Sequence, residues 1–253
     1  MSGRTRLVGV SLKMYMGLAR TREWMDAVAA AAREGLPPGV GLFVIPGFLS
    51  LRESAEILDG TGVALGAQNM FWEDAGAFTG EVSAPMLREA GCRYVEIGHA
   101  ERRRLFGETE EVVSLKMRAA IRNGLVPVLC IGEMRRGTPE QAVAECAAQF
   151  ASAAEGLPAE SELVFAWEPV WAIGAAEPAP PDYIAAVAGG LRTLLAGWPR
   201  AKLIYGGSAG PGLLTRLGDA VDGLFLGRFA HDVGALRQVL TEAAASAGPA
   251  VLQ

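Results

Sequence analysis

Phe165-Ala-Trp-Glu168-Pro-Val-Trp-Ala-Ile-Gly174 reads as a short apolar strand that ends in a carboxylate, with a stiff loop leaving it at once. Proline fixes its own φ, lacks an N–H and disfavours helical geometry at the residue before it, so Pro169 stops the strand at Glu168. Trp171 and Ile173 put apolar bulk where a solvent loop carries polar side chains, and Gly174 closes the segment. A loop tip of this kind is suited to fold down onto something. Taken alone, a strand-end glutamate is more readily a surface carboxylate in an ion pair. The weight of the reading therefore falls on what surrounds it.

Working outward, the same pattern repeats. Short apolar runs at 7–12, 42–45, 63–67, 94–97, 126–131, 163–167, 202–205 and 223–226 alternate with helical stretches at 21–35, 50–59, 85–90, 109–123, 139–155, 181–197, 211–217 and 233–246. Thr21 is the expected cap of the first helix and Gly35 its stop. The runs are continuously apolar, as strands of a parallel sheet buried on both faces must be. Eight strand-helix units in 253 residues predict a single (β/α)₈ barrel domain over residues 1–253. A doubly wound open sheet is the alternative, but the first strand-to-helix turn, Lys13-Met-Tyr-Met-Gly-Leu18, lacks a glycine-rich dinucleotide fingerprint. The proline-rich run at 177–181 lies inside the sixth unit and reads as the far side of a loop, not as a linker.

Composition excludes several classes. The 23 basic and 28 acidic side chains give a net charge of −5, so no global field draws the chain to nucleic acid or anionic lipid. An anionic small substrate needs a local site. Cys92, Cys130 and Cys146 stand at no metal-ligand spacing and there are only two histidines, so reduced, buried thiols and no metal are expected. Arg4 and Arg6 lead directly into an apolar strand, without a signal-length or membrane-spanning run. A cytoplasmic protein is the expectation.

In such a barrel the chemistry gathers where strands end. Those ends carry Lys13, Gln68 and Asn69, His99 and Glu101, Glu133, Glu168, Gly206-Gly-Ser208, and Gly227-Arg228. The set offers a carboxylate base, an imidazole, a cation and two glycine turns.

These residues carry a resemblance. Gly66-Ala-Gln-Asn69, Gly76-Ala-Phe-Thr-Gly-Glu-Val-Ser83, Ile97-Gly-His-Ala-Glu-Arg-Arg103, Cys130-Ile-Gly-Glu133, the stretch 166–174, Tyr205-Gly-Gly-Ser208 and Asp222-Gly-Leu-Phe-Leu-Gly227 resemble the triosephosphate isomerase family, in that family's order along nearly the whole chain. The resemblance implies a TIM barrel without a cofactor, moving a proton between neighbouring carbons of a small phosphorylated hydroxy-ketone through an enediolate. Glu168 would be the base, His99 a donor to the substrate oxygens as a neutral imidazole, as in that family, and Lys13 the offset to negative charge. Pro169, Trp171 and Ile173 would belong to a closing lid over 169–177, held shut by Tyr205 and Ser208. Backbone N–H groups at Gly174, Ser208 and Gly227 would hold the phosphate. Glu101 and Ala100 would support the histidine.

Departures from the glycolytic pattern bear on the substrate. Ser11 stands where asparagine is usual, Ala100 where serine is, Arg228 where a second glycine is, and Glu96 where the strand is apolar. Together with Val95-Glu-Ile-Gly-His99 and Gln68-Asn-Met70, these resemble the branch of the family that acts on erythrulose phosphates. L-erythrulose 1-phosphate carries one more hydroxymethyl group than the triose ketone, and Ser11 and Ala100 would leave room for it, with Arg228 beside the phosphate. The alternatives are a glycolytic isomerase whose Arg228 points outward, and a barrel kept only as a binding or scaffold protein.

The long third connection resembles the loop that enters a neighbouring subunit in this family, with Thr79 approaching the neighbour's site and Glu81 pairing Arg102 there. A homodimer is expected. Arg102-Arg-Arg104 is too short, and too closely flanked by Glu101 and Glu108, to make a nucleic-acid patch.

Overall fold

The computed structural model describes residues 5–247; residues 1–4, Arg4 among them, and 248–253 lie outside the described part. Eight parallel strands, β1 (Arg6–Ser11), β2 (Val40–Ile45), β3 (Ala64–Ala67), β4 (Cys92–Ile97), β5 (Val126–Ile131), β6 (Leu163–Trp167), β7 (Ala201–Tyr205) and β8 (Gly223–Leu226), pair in chain order. The sheet closes on itself between β1 and β8, which makes the fold a TIM barrel. Around it run α1 (Leu18–Arg33), α2 (Leu51–Leu58), α3 (Ala84–Glu89), α4 (Ala100–Phe106), α5 (Glu110–Arg122), α6 (Pro139–Ala153), α7 (Pro181–Leu194), α8 (Leu213–Leu217) and α9 (Val233–Ser246).

Strand parity decides which side chains meet inside. Successive side chains of a strand point to opposite faces, and the inward set from seven strands forms one interior cluster that includes Leu7, Phe43, Tyr94, Val128, Ala166 and Phe225. Phe43 fills the middle of the barrel, stacked on Tyr94 at 4.4 Å between centroids. It fits because β1 offers no side chain there: a Cβ on Gly9 would stand 2.2 Å from the Phe43 ring. The outward set packs under the helices in a second, larger cluster. Continuing the inward parity past Leu7 and Tyr94 brings Ser11, Lys13 and Glu96 to the carboxyl-terminal mouth of the barrel, and continuing past Ala166 brings Glu168 there.

At the opposite end one side chain ties the barrel shut. Arg6 on β1 is fully buried, and its guanidinium donates to the carbonyls of Ser246 at 2.8 Å and Val221 at 2.6 Å and to Asp219 Oδ1 at 2.7 Å.

Two helices differ from the sequence expectation. α1 begins at Leu18 behind Gly17, and Thr21 is buried within it instead of capping it; its N–H already bonds the Gly17 carbonyl. α4 was not expected. It starts straight from the end of β4 with His99 as its cap and ends at Gly107, whose φ of +65° is the left-handed turn that favours glycine. Elsewhere the caps follow the sequence: Thr109 opens α5, and Thr138 with Gln141 forms a capping box on α6.

The three cysteines are free and buried; burial pushes the Cys92 thiol up to about 12 and Cys146 higher still. No helix among the described residues is long and apolar enough to cross a membrane.

Candidate active site

Lys13, His99 and Glu168, which the sequence placed on three different strand ends, line one cavity of about 760 Å³ together with Ser11, Ala100, Glu101, Gly174, Ser208, Gly227 and Arg228. Lys13 Nζ stands 3.0 Å from His99 Nε2 and 2.9 Å from Glu101 Oε1. The backbone of Lys13 sits at φ +49°, a left-handed conformation that a non-glycine residue adopts at some cost and that clusters at functional sites. Gln68 holds it there, donating to the Lys13 carbonyl at 2.9 Å. Burial alone would lower the Lys13 pKa, but the carboxylates of Glu168, Glu96 and Glu101 outweigh it and raise it.

His99 is 3 % exposed and is fixed from behind. The Gly98 peptide is gripped on both sides, its N–H donating to Glu108 Oε1 at 3.2 Å and its carbonyl accepting from Arg103 Nε at 2.6 Å. Glu108 is held in turn by Lys116 at 2.7 Å and Arg102 at 2.8 Å, and Lys116 also reaches Asn69 Oδ1. On the ring, Nδ1 accepts the Glu101 amide N–H at 3.1 Å. Burial disfavours the imidazolium, the Glu168 and Glu96 carboxylates favour it more and raise the pKa, yet a doubly protonated ring has no lone pair for the Glu101 amide. The Glu101 amide at Nδ1 and Lys13 Nζ at Nε2 ask for different tautomers; with the backbone-fixed Glu101 amide claiming the Nδ1 lone pair, the neutral ring carries its proton on Nε2, and the 3.0 Å approach of Lys13 Nζ to Nε2 is then a contact between two donors and not a hydrogen bond. Nε2–H and the Lys13 ammonium are then two donors converging on one point, which an oxygen between them would satisfy.

Glu168 is buried and its Oε2 lies 3.7 Å from His99 Nε2. Its Oε1 has no hydrogen-bond partner among the described residues, so one carboxylate oxygen of a cavity-lining residue is left uncommitted. Burial works against its charge, but at a pH low enough to protonate His99 the imidazolium and the Lys13 ammonium outweigh burial and hold the pKa below the usual carboxylate value. Two glycines make room for it. A Cβ on Gly206 would stand 2.5 Å from Glu168 Cγ, and one on Gly132 would strike the Glu168 carbonyl oxygen at 1.8 Å.

Past Pro169 the chain makes a single 3₁₀ turn, Val170–Ala172, and Gly174 turns it at φ +73°. Trp171 Nε1 donates to Glu133 Oε1 at 2.8 Å, and Glu133 also accepts from Trp167 Nε1 at 3.0 Å and the Tyr183 hydroxyl at 2.9 Å. Ser208 Oγ donates to the carbonyls of Ala172 and Ala175 at 3.1 and 2.6 Å. Tyr205 grips slightly further along than 169–177: its hydroxyl accepts the Ala179 N–H at 3.1 Å. Ile173 lines the cavity.

The backbone N–H groups of Gly174, Ser208 and Gly227 bond to no carbonyl among the described residues, and all three residues line the cavity. More positive charge is present than the sequence suggested. Arg104 and Arg228 both line the cavity, and neither is among the ion pairs of the described residues. The arginine triplet divides its work by helical rotation: Arg102 bonds Glu108, Arg103 bonds Glu110, and Arg104 turns to the cavity. Arg104, Tyr15, Met134 and Phe229 were missed in sequence because none stands at a strand end. Glu133 stands at one, but its role as a latch depends on Trp171 and Tyr183 arriving from other elements.

Ser11 Oγ donates to Glu96 Oε2 at 2.8 Å, and Glu96 Oε1 lies 4.0 Å from His99 Nε2. Burial raises the Glu96 pKa by more than His99 and Lys13 lower it.

An uncommitted carboxylate, two converging donors and open backbone amides at the mouth of a closed parallel barrel define a site able to take a proton from a carbon acid beside a carbonyl. The triosephosphate isomerase family model matches residues 6–243, and the chain belongs to that family. It is 52% identical over 252 residues to the L-erythrulose-1-phosphate isomerase of Pectobacterium atrosepticum, covering 96% of this chain and 97% of that one. It is 43% identical over 251 residues to the enzyme of the same name from Brucella abortus (94% and 96% covered). A third, from Mesorhizobium japonicum, is 41% identical over 253 residues (94% and 97% covered).

Proposed function

We propose that the chain interconverts L-erythrulose 1-phosphate and D-erythrulose 4-phosphate. The observation that carries the chemistry is the uncommitted oxygen of Glu168, in a carboxylate whose other oxygen lies 3.7 Å from a histidine donor. The carboxylate takes the proton from the hydroxyl-bearing carbon next to the ketone, and the electron pair of that C–H bond moves onto the carbonyl oxygen to give an enediolate. His99 Nε2–H and Lys13 stabilise the negative oxygen with donors already in place, in a site from which the lid excludes water. Glu168, now protonated, returns the proton to the former carbonyl carbon, while the hydroxyl proton passes between the two oxygens. No electrons enter or leave, and no cofactor takes part.

The phosphate is assigned to the amides of Gly174, Ser208 and Gly227, with Arg228 and Arg104 adding charge. The two substrate classes share this machinery, so the identity of the relatives supports the tetrulose. Side-by-side kcat/KM on L-erythrulose 1-phosphate and dihydroxyacetone phosphate tests the reading: a higher value on the tetrulose is expected, and a higher value on the triose sinks it.

A homodimer completes the proposal. The connection between β3 and α3 is tied at its neck by the Phe71–Ser83 bridge, while Thr79 and Glu81 at its tip are exposed. Large apolar side chains are exposed, Met14 at 97 % and Leu49 at 88 % with Phe78, Met86 and Phe106, surface that a partner subunit would cover. Arg102 engages Glu108 through Nε only, leaving its terminal nitrogens for a neighbour's Glu81. Buried, reduced thiols fit an intracellular enzyme.

A further inference from the structure

We infer that Glu96 is a positioning residue for substrate selection: by taking the Ser11 hydroxyl hydrogen, it leaves Ser11 Oγ as an acceptor that recognises the extra hydroxyl of the tetrulose. This rests on the substrate reading above and names the group that enforces it.

A buried carboxyl inside a barrel needs a reason, because desolvating it is costly unless it is paired. Glu96 is 4 % exposed; among the described residues no arginine or lysine is within ion-pair distance of it, its one hydrogen bond is the Ser11 hydroxyl at 2.8 Å, and His99 Nε2 faces its other oxygen at 4.0 Å. It shares the inward face of β4 with Tyr94, below the cavity it does not itself line. Ser11 does line the cavity, at the last position of β1 and two residues before Lys13. Whether or not Glu96 is ionised, Oε2 can accept, with any proton carried on Oε1. Ser11 has only one hydrogen to give. With that hydrogen committed downward, the oxygen presents lone pairs upward, so it pairs with a hydroxyl and not with a carbonyl.

The substrate supplies such a hydroxyl in only one of the two classes. L-erythrulose 1-phosphate is the triose ketone phosphate with CH₂OH in place of one hydrogen on the carbon that Glu168 deprotonates. The other charged and hydroxyl groups of the inner cavity have other work: Lys13 and His99 face the reacting oxygens, Glu168 takes the carbon-bound proton, Arg104 and Arg228 are donors assigned to the phosphate, Glu101 holds Lys13 and Ser208 the lid carbonyls. Ser11 is the buried side-chain acceptor that remains. A site that pairs a substrate hydroxyl rejects the analogue lacking it far better than extra room alone can.

The experiment measures kcat and KM on L-erythrulose 1-phosphate and on dihydroxyacetone phosphate for the wild type, Ser11→Ala, Glu96→Ile and Glu96→Gln, with melting curves for each. Ser11→Ala and Glu96→Ile should lower the ratio of kcat/KM values, tetrulose over triose, by about 10- to 100-fold, the tetrulose value falling by that factor more than the triose value. The tetrulose loss should fall mainly on KM. Glu96→Gln keeps an acceptor oxygen at the same place and should retain most of the ratio. Equal losses on both substrates, or an unchanged ratio in Ser11→Ala, overturn the inference. A wild type that prefers the triose overturns the substrate reading instead, so the two fail separately.

Discussion

The indole nitrogen of Trp171 donates to Glu133 Oε1 at 2.8 Å, joining the lid to the end of a strand that carries no catalytic group. The same oxygen takes the Tyr183 hydroxyl, so a single buried carboxylate gathers lid, β5 and α7. Trp171→Phe keeps the ring and removes only the donor. We expect kcat to fall about 10-fold, the size of one hydrogen bond to a charged acceptor, with faster proteolytic cleavage within 169–180. Unchanged kcat and unchanged cleavage would show that the latch does not govern closure.

Glu168→Asp withdraws the carboxylate by about one bond length. Proton transfer depends on near-attack geometry, so kcat should drop on the order of 100-fold or more with KM little changed. A variant as active as wild type would remove Glu168 from the role of base.

The depressed pKa of Glu168 has a definite sign. In the free protein the carboxylate is ionised above its pKa and loses its charge as pH falls through it; because a protonated His99 and Lys13 together outweigh burial, that loss comes below the usual value of 4.5. The carboxyl absorption in the infrared difference between the protein and Glu168→Gln, followed downward from pH 7 with the fold monitored by circular dichroism, checks this. A midpoint above 4.5 in a still-folded protein contradicts it.

Gly206→Ala tests whether the base is placed by emptiness. The new methyl would meet Glu168 Cγ at 2.5 Å and Cδ at 2.8 Å, and the side chain must swing away. A shift of about 1 Å is enough for a 100-fold loss of kcat, while the melting temperature should fall by only a few degrees, as overpacking costs about 1–3 kcal/mol. Full activity would mean that Glu168 reaches its working position by another route.

Light scattering should give roughly twice 26.5 kDa, and Thr79→Arg, at the exposed loop tip, should shift the protein to monomer with a loss of activity. Wild-type protein that is monomeric at micromolar concentration would sink the dimer.

Much of this was legible in the chain because a parallel barrel writes its chemistry at strand ends. Glu168, His99 and Lys13 each follow an apolar run directly, and Gly206-Gly-Ser208 and Gly227 mark turns that a reader can place without coordinates. Ser11 and Glu96 could be singled out individually, but not as a pair: they lie 85 residues apart and meet only because β1 and β4 both turn those positions inward. α4 was hidden for a local reason. Its cap is an imidazole nitrogen and not a hydroxyl or carboxylate, so the usual start signal is missing, although Gly107 does mark its end. Thr21 misled in the opposite way, as a good capping residue that tertiary burial draws into the body of α1.

The Arg6 tie bears on how the chain is born. Its acceptors belong to Ser246, Val221 and Asp219, which a ribosome delivers long after β1 has emerged. Until then the guanidinium has no carbonyls to enter and stays in water, since burying it alone would be prohibitive. The full set of acceptors for β1's buried arginine is thereby complete only once β8 and the end of α9 are out of the tunnel. A nascent chain stalled before that point keeps an open sheet edge, which is the form a chaperone would have to shield.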